Sequence, residues 1–507
     1  MTGILALTFS ALVLATPLQA QSNKRSTPAE RTAAYFESLR KTPPQLFAFL
    51  KLMPKGGDLH NHLTGSVYAE SLIQWSANSG LCVHQTTFVL SPPPCDSLAS
   101  QVPVSNALTN PILYRELVDA FSTRNWQYSG ESGHDDFFDS FARFGPATNG
   151  HFGPMIAEVA SRAARGNVIY LELMVTTGGN ISGRLADEVG WNDNFDDTLR
   201  KLKSGGISNA VVAASETLRD GEEEKNRILK CGTQQADPGC SVTIRYISQV
   251  ARADTLSHVF AQMLTGFELA SDPNSKVVAV NLVQPEDWLM SMQNFSAQMD
   301  MLNFLHPLYP KAHIALHAGE LAPGMVPPEW LRFHIRDSVV KGHAERLGHA
   351  VSVMYEDNPF ELLKELARRN IMIEICLSSA ERILGTKGQD HPLATYLQFG
   401  VPVALATDDE GVSRSEMTRE YLKAAQDHGL GYLQLKTMAR TSLQFAFLSG
   451  ASLWQDAKRF LPVAACAKDL NTGNATSVGC KRFLETSEKA AMQWKLEQAF
   501  QKFESQY

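Results

Sequence analysis

The sequence predicts an α/β fold, a (β/α)8 TIM barrel with a long helical insertion after strand one and C-terminal helices. Eight short apolar runs alternate with helical patterns, and polar residues of catalytic types follow several of those runs. Buried parallel strands are apolar throughout their length, and barrel enzymes place their sites at strand ends. A doubly wound open sheet is the alternative, but "HLTGSVYAES" lacks the glycine-rich phosphate turn expected after its first strand.

The strands are predicted from runs rich in β-branched and aliphatic residues, each short enough for one strand. They cover residues 58–63, 168–175, 242–250, 277–283, 313–320, 346–351, 371–379 and 401–409. The chain has 507 residues, 44% of them hydrophobic and 20% charged, which suits a soluble globular protein with a large core.

Two insertions interrupt the alternation, at about 66–167 and 204–240. The first carries phenylalanines at helical spacing, which either fill a core or form a wall at the active-site mouth. They are Phe137, Phe138, Phe141 and Phe144. The second contains "DGEEEKNR", whose charges predict a solvated helix face. Beyond Asp409 we expect helices, interrupted by a loop between Cys466 and Cys480.

The N-terminus is typical of a signal peptide at residues 1–20, cut after Ala20. Its apolar segment is too short for a membrane span, although the usual positive charges before it are missing. An uncleaved anchor is the alternative. Residues 21–507 are then expected to form one domain, periplasmic or secreted. With a net charge of −7 and no long basic run, no nucleic-acid or membrane surface is indicated, and a small-molecule partner is expected.

Six of the seven cysteines lie in locally close pairs, as expected in an oxidising compartment. The pairs are Cys82 with Cys95, Cys231 with Cys240, and Cys466 with Cys480. They are predicted as three loop disulfides, although sequence alone does not determine connectivity. Cys376, in an apolar run, is interpreted as a buried free thiol.

Histidines and carboxylates stand at the carboxyl ends of four predicted strands, where barrel sites form. They are His60, His62, His317, Glu320, His349, Asp408 and Asp409. His60 and His62 are two residues apart, so a strand turns both side chains to one face. Three imidazoles with a carboxylate suit zinc, which activates a water molecule.

The motifs "MPKGGDLHNHL", "HAGE", "RLGHA" and "TDDEG", in this order, resemble the adenosine deaminase family of metal-dependent hydrolases. The resemblance runs from about Leu46 to Glu420. The long strand-one insertion and the export signal are more similar to its secreted, growth-factor-like branch. The resemblance implies zinc-dependent hydrolytic deamination of adenosine, and of 2′-deoxyadenosine, to inosine and ammonia.

The resemblance also implies the role of each residue. One Zn²⁺ per chain would be bound by His60, His62, His317 and Asp408. Glu320 would protonate N1 of the purine, His349 would take a proton from the attacking water, and Asp409 would orient that water and purine N7. Glu320 must then hold a proton near neutral pH, which requires a pKa raised by a desolvated pocket.

Two predicted substrate contacts depart from the family pattern. Thr64 stands where an aspartate usually holds the ribose, and Gln284 where a glycine usually meets purine N3. A side chain at a glycine position reshapes the pocket. Gly319, which lets the chain turn, and Asp409 complete the predicted substrate contacts. These departures leave another 6-aminopurine derivative as the alternative substrate.

Other interpretations remain at single positions and for the whole chain. His349 could be a core histidine and Asp409 a helix N-cap. A secreted binding or signalling protein on a deaminase scaffold would lack a ligand or the acid, and none is missing. A metal hydrolase of another amide or ester would not need Glu320. His343 and Glu345 imitate the cytidine-type zinc motif, but its Pro-Cys-x-x-Cys is absent. Oligomeric state is not determined.

Overall fold

An eight-stranded parallel sheet forms the centre of the fold and confirms the predicted barrel. The computed structural model describes residues 26–474 and 476–507, so the predicted signal peptide lies outside the described residues. The strands follow one another in sequence order around the barrel. They are β1 Gly56–His62, β2 Val168–Val175, β3 Thr243–Ala251, β4 Val277–Val283, β5 His313–Ala318, β6 Arg346–His349, β7 Met372–Ile375 and β8 Val403–Leu405.

The barrel closes between its first and last strands through two backbone hydrogen bonds. The Asp408 N–H donates to the His60 carbonyl at 2.9 Å, and the His62 N–H donates to the Asp408 carbonyl at 3.1 Å. Closure therefore places Asp408 directly beside the two histidines of β1, although the residues lie far apart in the sequence.

The last strands are shorter than predicted. β7 ends at Ile375, and Leu377–Ile383 forms a helix where the sequence predicts continued strand. A distant carboxylate stabilises this helix start, because Glu420 accepts a hydrogen bond from the Ser378 N–H at 3.0 Å. The apolar sequence around Ser378 does not indicate that Glu420 is its partner.

Helices cover the outside of the barrel and build the insertions. They are α1 Pro28–Leu39, α2 Pro43–Leu52, α3 Ala69–Asn78, α4 Pro111–Ala120, α5 Gly133–Phe144, α6 Phe152–Arg165, α7 Gly179–Val189, α8 Phe195–Gly205, α9 Ser208–Ile228, α10 Leu256–Ser271, α11 Leu289–Leu305, α12 His334–Val340, α13 Pro359–Arg369, α14 Leu377–Ile383, α15 Leu393–Phe399, α16 Met417–Asp427, α17 Tyr432–Phe445, α18 Ala467–Thr472, α19 Val478–Glu485 and α20 Glu488–Glu504. Within residues 26–474 and 476–507, no helix combines the length and apolar character that crossing a membrane requires.

The strand-one insertion contains helices and a small antiparallel sheet, and one of its helices reaches the barrel mouth. The sheet strands are Cys82–His84, Leu90–Ser91 and Gln101–Pro103. Helix α5 packs against α14 so closely that a Cβ at Gly133 would lie 2.0 Å from the Arg382 carbonyl oxygen. Glycine at this position lets α5 approach the mouth of the barrel.

The predicted disulfides Cys82–Cys95, Cys231–Cys240 and Cys466–Cys480 are all present. Cys376 is buried and free, as predicted. Burial raises the pKa of its thiol well above the usual range, so the group stays protonated.

One prediction about polar segments is wrong, and a second is correct only in part, because Asp220, Glu223 and Arg227 are exposed but two other charged residues are not. The stretch between Cys466 and Cys480 contains helix α18, and it is preceded by an antiparallel pair, Trp454–Asp456 with Leu461–Pro462. In the predicted solvated face, Glu222 and Lys225 are buried and form an ion pair at 2.8 Å. They pair because helix α9 packs on the barrel, where the Tyr246 hydroxyl also donates to Glu222 at 2.7 Å.

Candidate active site

Four buried side chains converge at the carboxyl end of the barrel. The ligand atoms of His60, His62, His317 and Asp408 all lie within 4.8 Å of one another. The His317 Nε2 atom is 3.1 Å from Nε2 of both His60 and His62. Asp408 Oδ1 lies 3.3 Å from the same two nitrogens. The structure therefore brings together all four predicted metal ligands.

The outer nitrogen of each imidazole faces a hydrogen-bond acceptor. His60 Nδ1 donates to Glu374 at 2.7 Å, His62 Nδ1 to the Gln249 side-chain oxygen at 2.8 Å, and His317 Nδ1 to the Asn281 side-chain oxygen at 2.8 Å. The two amide orientations are supported by their NH2 groups, which donate to the Thr176 hydroxyl and the Ala315 carbonyl.

These hydrogen bonds put the proton of each imidazole on Nδ1, so three Nε2 lone pairs and one carboxylate oxygen face a common point. Such an arrangement is electrostatically unfavourable unless a cation lies between the donor atoms, and outer-shell acceptors of this kind orient metal-binding histidines. The residues present therefore fit a divalent metal ion.

Asp408 is held in an uncommon backbone conformation. Its φ is +59°, in the left-handed region that residues other than glycine rarely adopt. The Ser379 hydroxyl donates to its Oδ2 at 2.6 Å, which leaves Oδ1 facing the histidines. His349 has a φ of +65°, so two neighbouring site residues carry backbone strain of the kind that clusters at functional sites.

Glu320 and His349 lie beside the four ligands with their polar atoms available. Burial raises the pKa of Glu320 well above its usual range, and the charges of Asp408 and Glu286 add to this effect. Burial lowers the pKa of His349 to about 3. Glu320 Oε1 and both ring nitrogens of His349 have no hydrogen-bond partner among the described residues. Burial thus favours the protonated form of the Glu320 carboxyl and the neutral form of the His349 imidazole.

Asp409 is buried beside Asp408, and its position depends on Gly65. Its Oδ1 atom has no hydrogen-bond partner within the described chain. A Cβ added at Gly65 would lie 1.7 Å from that oxygen, so only glycine leaves room for this carboxylate. Gly65, two residues after the first motif, is a site residue that the sequence analysis did not single out.

A cavity of about 270 Å³ opens onto these residues. Its polar lining includes His62, His317, Glu320, Asp408 and Asp409. Its apolar lining includes Phe137, Phe138 and Phe141 of α5 together with Trp288 and Ile383. Three of the four α5 phenylalanines thus form a wall of the cavity, which is one of the two roles predicted for them. The fourth, Phe144, is buried away from the cavity. Among the described residues that line it, none is lysine or arginine.

The two positions that depart from the family pattern also line this cavity. Gln284 adopts a φ of +84°, a conformation that favours glycine. Its side-chain oxygen accepts a hydrogen bond from the Ala253 N–H at 2.9 Å, which ties the side chain to the segment after β3. Thr64 is partly exposed at the cavity wall. Gly319 has a φ of +71°, as the predicted turn before Glu320 requires.

Sequence analysis missed the residues that orient the metal ligands. Asn281 and Glu374 are single polar residues inside otherwise apolar strands, and such residues are rarely buried without a partner, so this pattern was the available signal for them. Gln249 is half-buried in a strand with several polar residues and gave no such signal. The partner of each could not be identified, because it lies on another strand.

Comparison with known proteins supports one family. A family model described as adenosine deaminase matches residues 147–454. The adenosine deaminases of Salmonella typhi and Escherichia coli O139:H28 are 38% and 37% identical over 138 residues, which is 27% of this chain. The chain spans only 38% of the length of these curated relatives.

Solved structures resemble the whole barrel. A zinc-bound amidohydrolase from Burkholderia ambifaria superimposes with a TM-score of 0.53 at 16% identity, covering 89% of this chain and 95% of that one. Adenine deaminase from Arthrobacter aurescens gives a TM-score of 0.52 at 16% identity, covering 78% and 94%. At such identity these similarities concern the fold. The family model, however, matches more than half of the chain, and the chain belongs to the adenosine deaminase family.

Proposed function

We propose that this protein is a zinc aminohydrolase that converts adenosine, and 2′-deoxyadenosine, to inosine and ammonia. The observation that carries the proposal is the position of Glu320, a buried carboxylic acid with a raised pKa, next to a complete set of metal ligands in one cavity. Family membership gives independent support.

The side chains supply each step of such a reaction. A zinc ion bound by the four ligands would bring the pKa of a water molecule to about 7. His349, whose ring nitrogens have no hydrogen-bond partner among the described residues, would accept the proton that this water loses. Glu320 would donate its proton to purine N1, which neutralises the charge that attack at C6 pushes onto the ring. Asp409 would hydrogen-bond the attacking water and purine N7. The amino group would take the proton from His349 and leave C6 as ammonia, and the hydroxyl proton would return to Glu320 as the 6-oxo group forms.

The cavity favours an uncharged nucleoside over a nucleotide. Its described lining contains carboxylates but no cationic side chain, so a phosphate group would be desolvated without a counter-charge. Thr64, Thr176 and Gln249 offer hydrogen-bonding groups of the kind a ribose needs. Solved structures of similar fold include enzymes named for adenine and for N6-methyl-AMP, so another 6-aminopurine is the second candidate.

A substrate panel tests the proposal. The purified protein is given adenosine, 2′-deoxyadenosine, adenine and AMP, and ammonia release is measured for each. We expect the two nucleosides to give the highest kcat/KM, and AMP at least about 100-fold less, roughly 2.7 kcal/mol of transition-state stabilisation. Activity confined to AMP or adenine would select the second candidate, and no ammonia from any 6-aminopurine would exclude both.

We also propose that the protein is exported, to the periplasm or outside the cell, as in the secreted growth-factor-like branch. The three disulfides support this, because such bonds persist in oxidising compartments. Thiol titration of the unfolded, unreduced protein from its natural source should give one free thiol per chain, that of Cys376. A count of seven would contradict export.

A further inference from the structure

Glu286 lies under the turn that carries Glu320. It follows β4, is 2% exposed, and accepts hydrogen bonds from two consecutive backbone N–H groups. The Gly319 N–H donates to its Oε1 at 3.1 Å, and the Glu320 N–H donates to its Oε2 at 2.8 Å. Because both carboxylate oxygens are used, the Gly319–Glu320 peptide is fixed in position and direction.

Two further groups keep Glu286 in place as an anion. His334 of α12 donates to its Oε1 at 2.6 Å and stacks on Phe295 with ring centroids 4.1 Å apart. Burial would raise the pKa of Glu286, but His334, Arg252 and the Gly319 N–H hold it at about 2. Arg252 is itself fixed, since its guanidinium donates to the Leu282 carbonyl at 2.8 Å.

The surroundings shift the pKa values of these two buried carboxyl groups in opposite directions, downward for Glu286 and upward for Glu320. Glu286 accepts three hydrogen bonds, whereas Glu320 Oε1 accepts none among the described residues and lies 3.5 Å from His349 Nδ1. Paired carboxyl groups whose surroundings separate their charges are a common way to keep one of them protonated. An anion beside Glu320 disfavours a second negative charge there.

We propose that Glu286 is a positioning residue for Glu320, which it holds by its backbone so that the acid points at purine N1. Glu286 does not line the cavity, so it acts through Glu320 rather than on the substrate. This inference rests on the proposed deamination.

The first test compares Glu286→Gln with Glu356→Gln. Glu356 is also a buried carboxylate that accepts two backbone N–H groups, from Ile335 at 2.5 Å and Arg336 at 3.2 Å, but it holds the start of α12 instead of the acid turn. In Glu286→Gln the new NH2 group faces a backbone N–H, so the turn shifts. We expect kcat for adenosine to fall 10- to 100-fold, about the effect of small misplacements of a catalytic group.

In Glu286→Gln, we expect KM, zinc content and binding of the product inosine to stay within about threefold of the wild type. Glu356→Gln acts on Glu286 only indirectly, through the start of α12 that carries His334, so it should lower kcat less than Glu286→Gln does. Amide hydrogen exchange at residues 319–320 should be faster in Glu286→Gln than in Glu356→Gln. Glu286→Asp, which retains the carboxylate, should recover part of the lost kcat.

A double-mutant comparison separates positioning from a purely structural role. If Glu286 acts through Glu320, adding Glu286→Gln to Glu320→Gln should lower kcat no further. A further tenfold loss, unchanged kcat in Glu286→Gln alone, or equal kcat losses in Glu286→Gln and Glu356→Gln would overturn the inference. An inactive wild type would instead refute the proposed function.

Discussion

At the amino end of the barrel, Lys55 is buried just before β1, and its ammonium donates to three backbone carbonyls. They belong to Leu50 at 2.6 Å, Gly166 at 2.8 Å and Met53 at 3.0 Å. At the carboxyl end, buried polar atoms of Glu320, His349 and Asp409 have no hydrogen-bond partner among the described residues, and Glu320 Oε1 lies 3.5 Å from His349 Nδ1.

This difference indicates that buried polar groups at the amino end stabilise the fold, whereas those at the carboxyl end serve function. Buried polar groups with all partners supplied by the protein hold the fold together, whereas buried groups without partners cost free energy and persist where a ligand will meet them. Substitutions at the two ends should therefore change different measured quantities.

The largest expected effect is on kcat at the carboxyl end. Glu320→Gln removes the proton that N1 receives, and we expect kcat to fall about 1,000-fold, within the range for general acids. Zinc content and melting temperature should stay near the wild-type values, because Glu320 is neither a ligand nor a hydrogen-bond partner of one. Ammonia release measures kcat, and metal analysis of the same sample measures the zinc content. A variant that keeps most of its kcat would remove Glu320 from the mechanism.

The second effect concerns Gly65. In Gly65→Ala the methyl group would overlap Asp409 Oδ1, so the carboxylate must move away. We expect kcat to fall 10- to 100-fold, as for other small displacements of catalytic groups. Gly145→Ala is the control, since a Cβ there meets nothing within 4 Å. Equal activity of the two variants would mean that Asp409 is not needed in this position.

The metal ligands could be predicted from the sequence more completely than the residues that surround them. His60, His62, His317 and Asp408 could be predicted because the family resemblance implies them as ligands and because they stand at the carboxyl ends of predicted parallel strands, which meet at one edge. β2 matches its predicted range of 168–175.

Where prediction failed, the determining partner lies elsewhere in the chain. The run after Ile375 resembles a strand, but Glu420 stabilises a helix there. Glu222 of the predicted solvated face is buried because Tyr246 lies against it. Likewise, nothing near Asn281 in the sequence indicates that it orients His317.

The third effect concerns stability at the amino end. Lys55→Met keeps a long unbranched side chain but leaves three carbonyls without their donor, and we expect the free energy of unfolding to fall by about 1–3 kcal/mol. Both kcat and KM should stay within about twofold of wild type. Denaturant unfolding measures the loss, with exposed Lys51→Met as control, expected within about 0.5 kcal/mol. A loss of kcat without a loss of stability would contradict the division between the two ends.

The smallest effect is pH-dependent and involves the contact between α5 and the β4 segment. His134 Nε2 bonds Asp287 at 3.1 Å, and Nδ1 bonds Asp135 at 2.9 Å. Burial lowers the pKa of His134, but the two aspartates outweigh it and raise the pKa to about 9. Because the folded pKa is raised, the stabilisation is complete below about pH 6.5 and is lost as the pH rises through about 9.

The free energy of unfolding of wild type and His134→Gln should therefore differ by about 1 kcal/mol at pH 6 and by less above pH 9. Denaturant titrations at several pH values measure the difference. A difference that stays constant from pH 6 to 10 would show that the ion pair does not contribute.

The most direct test of a single metal site with deaminase chemistry is a zinc titration of the metal-free protein. Zinc is removed with a chelator, added back in known amounts, and ammonia release from adenosine is measured at each step. The arrangement of His60, His62, His317 and Asp408 predicts no activity without metal and a linear rise that ends at one zinc per chain. Full activity in the metal-free protein, or a rise that continues to two zinc ions per chain, would contradict it.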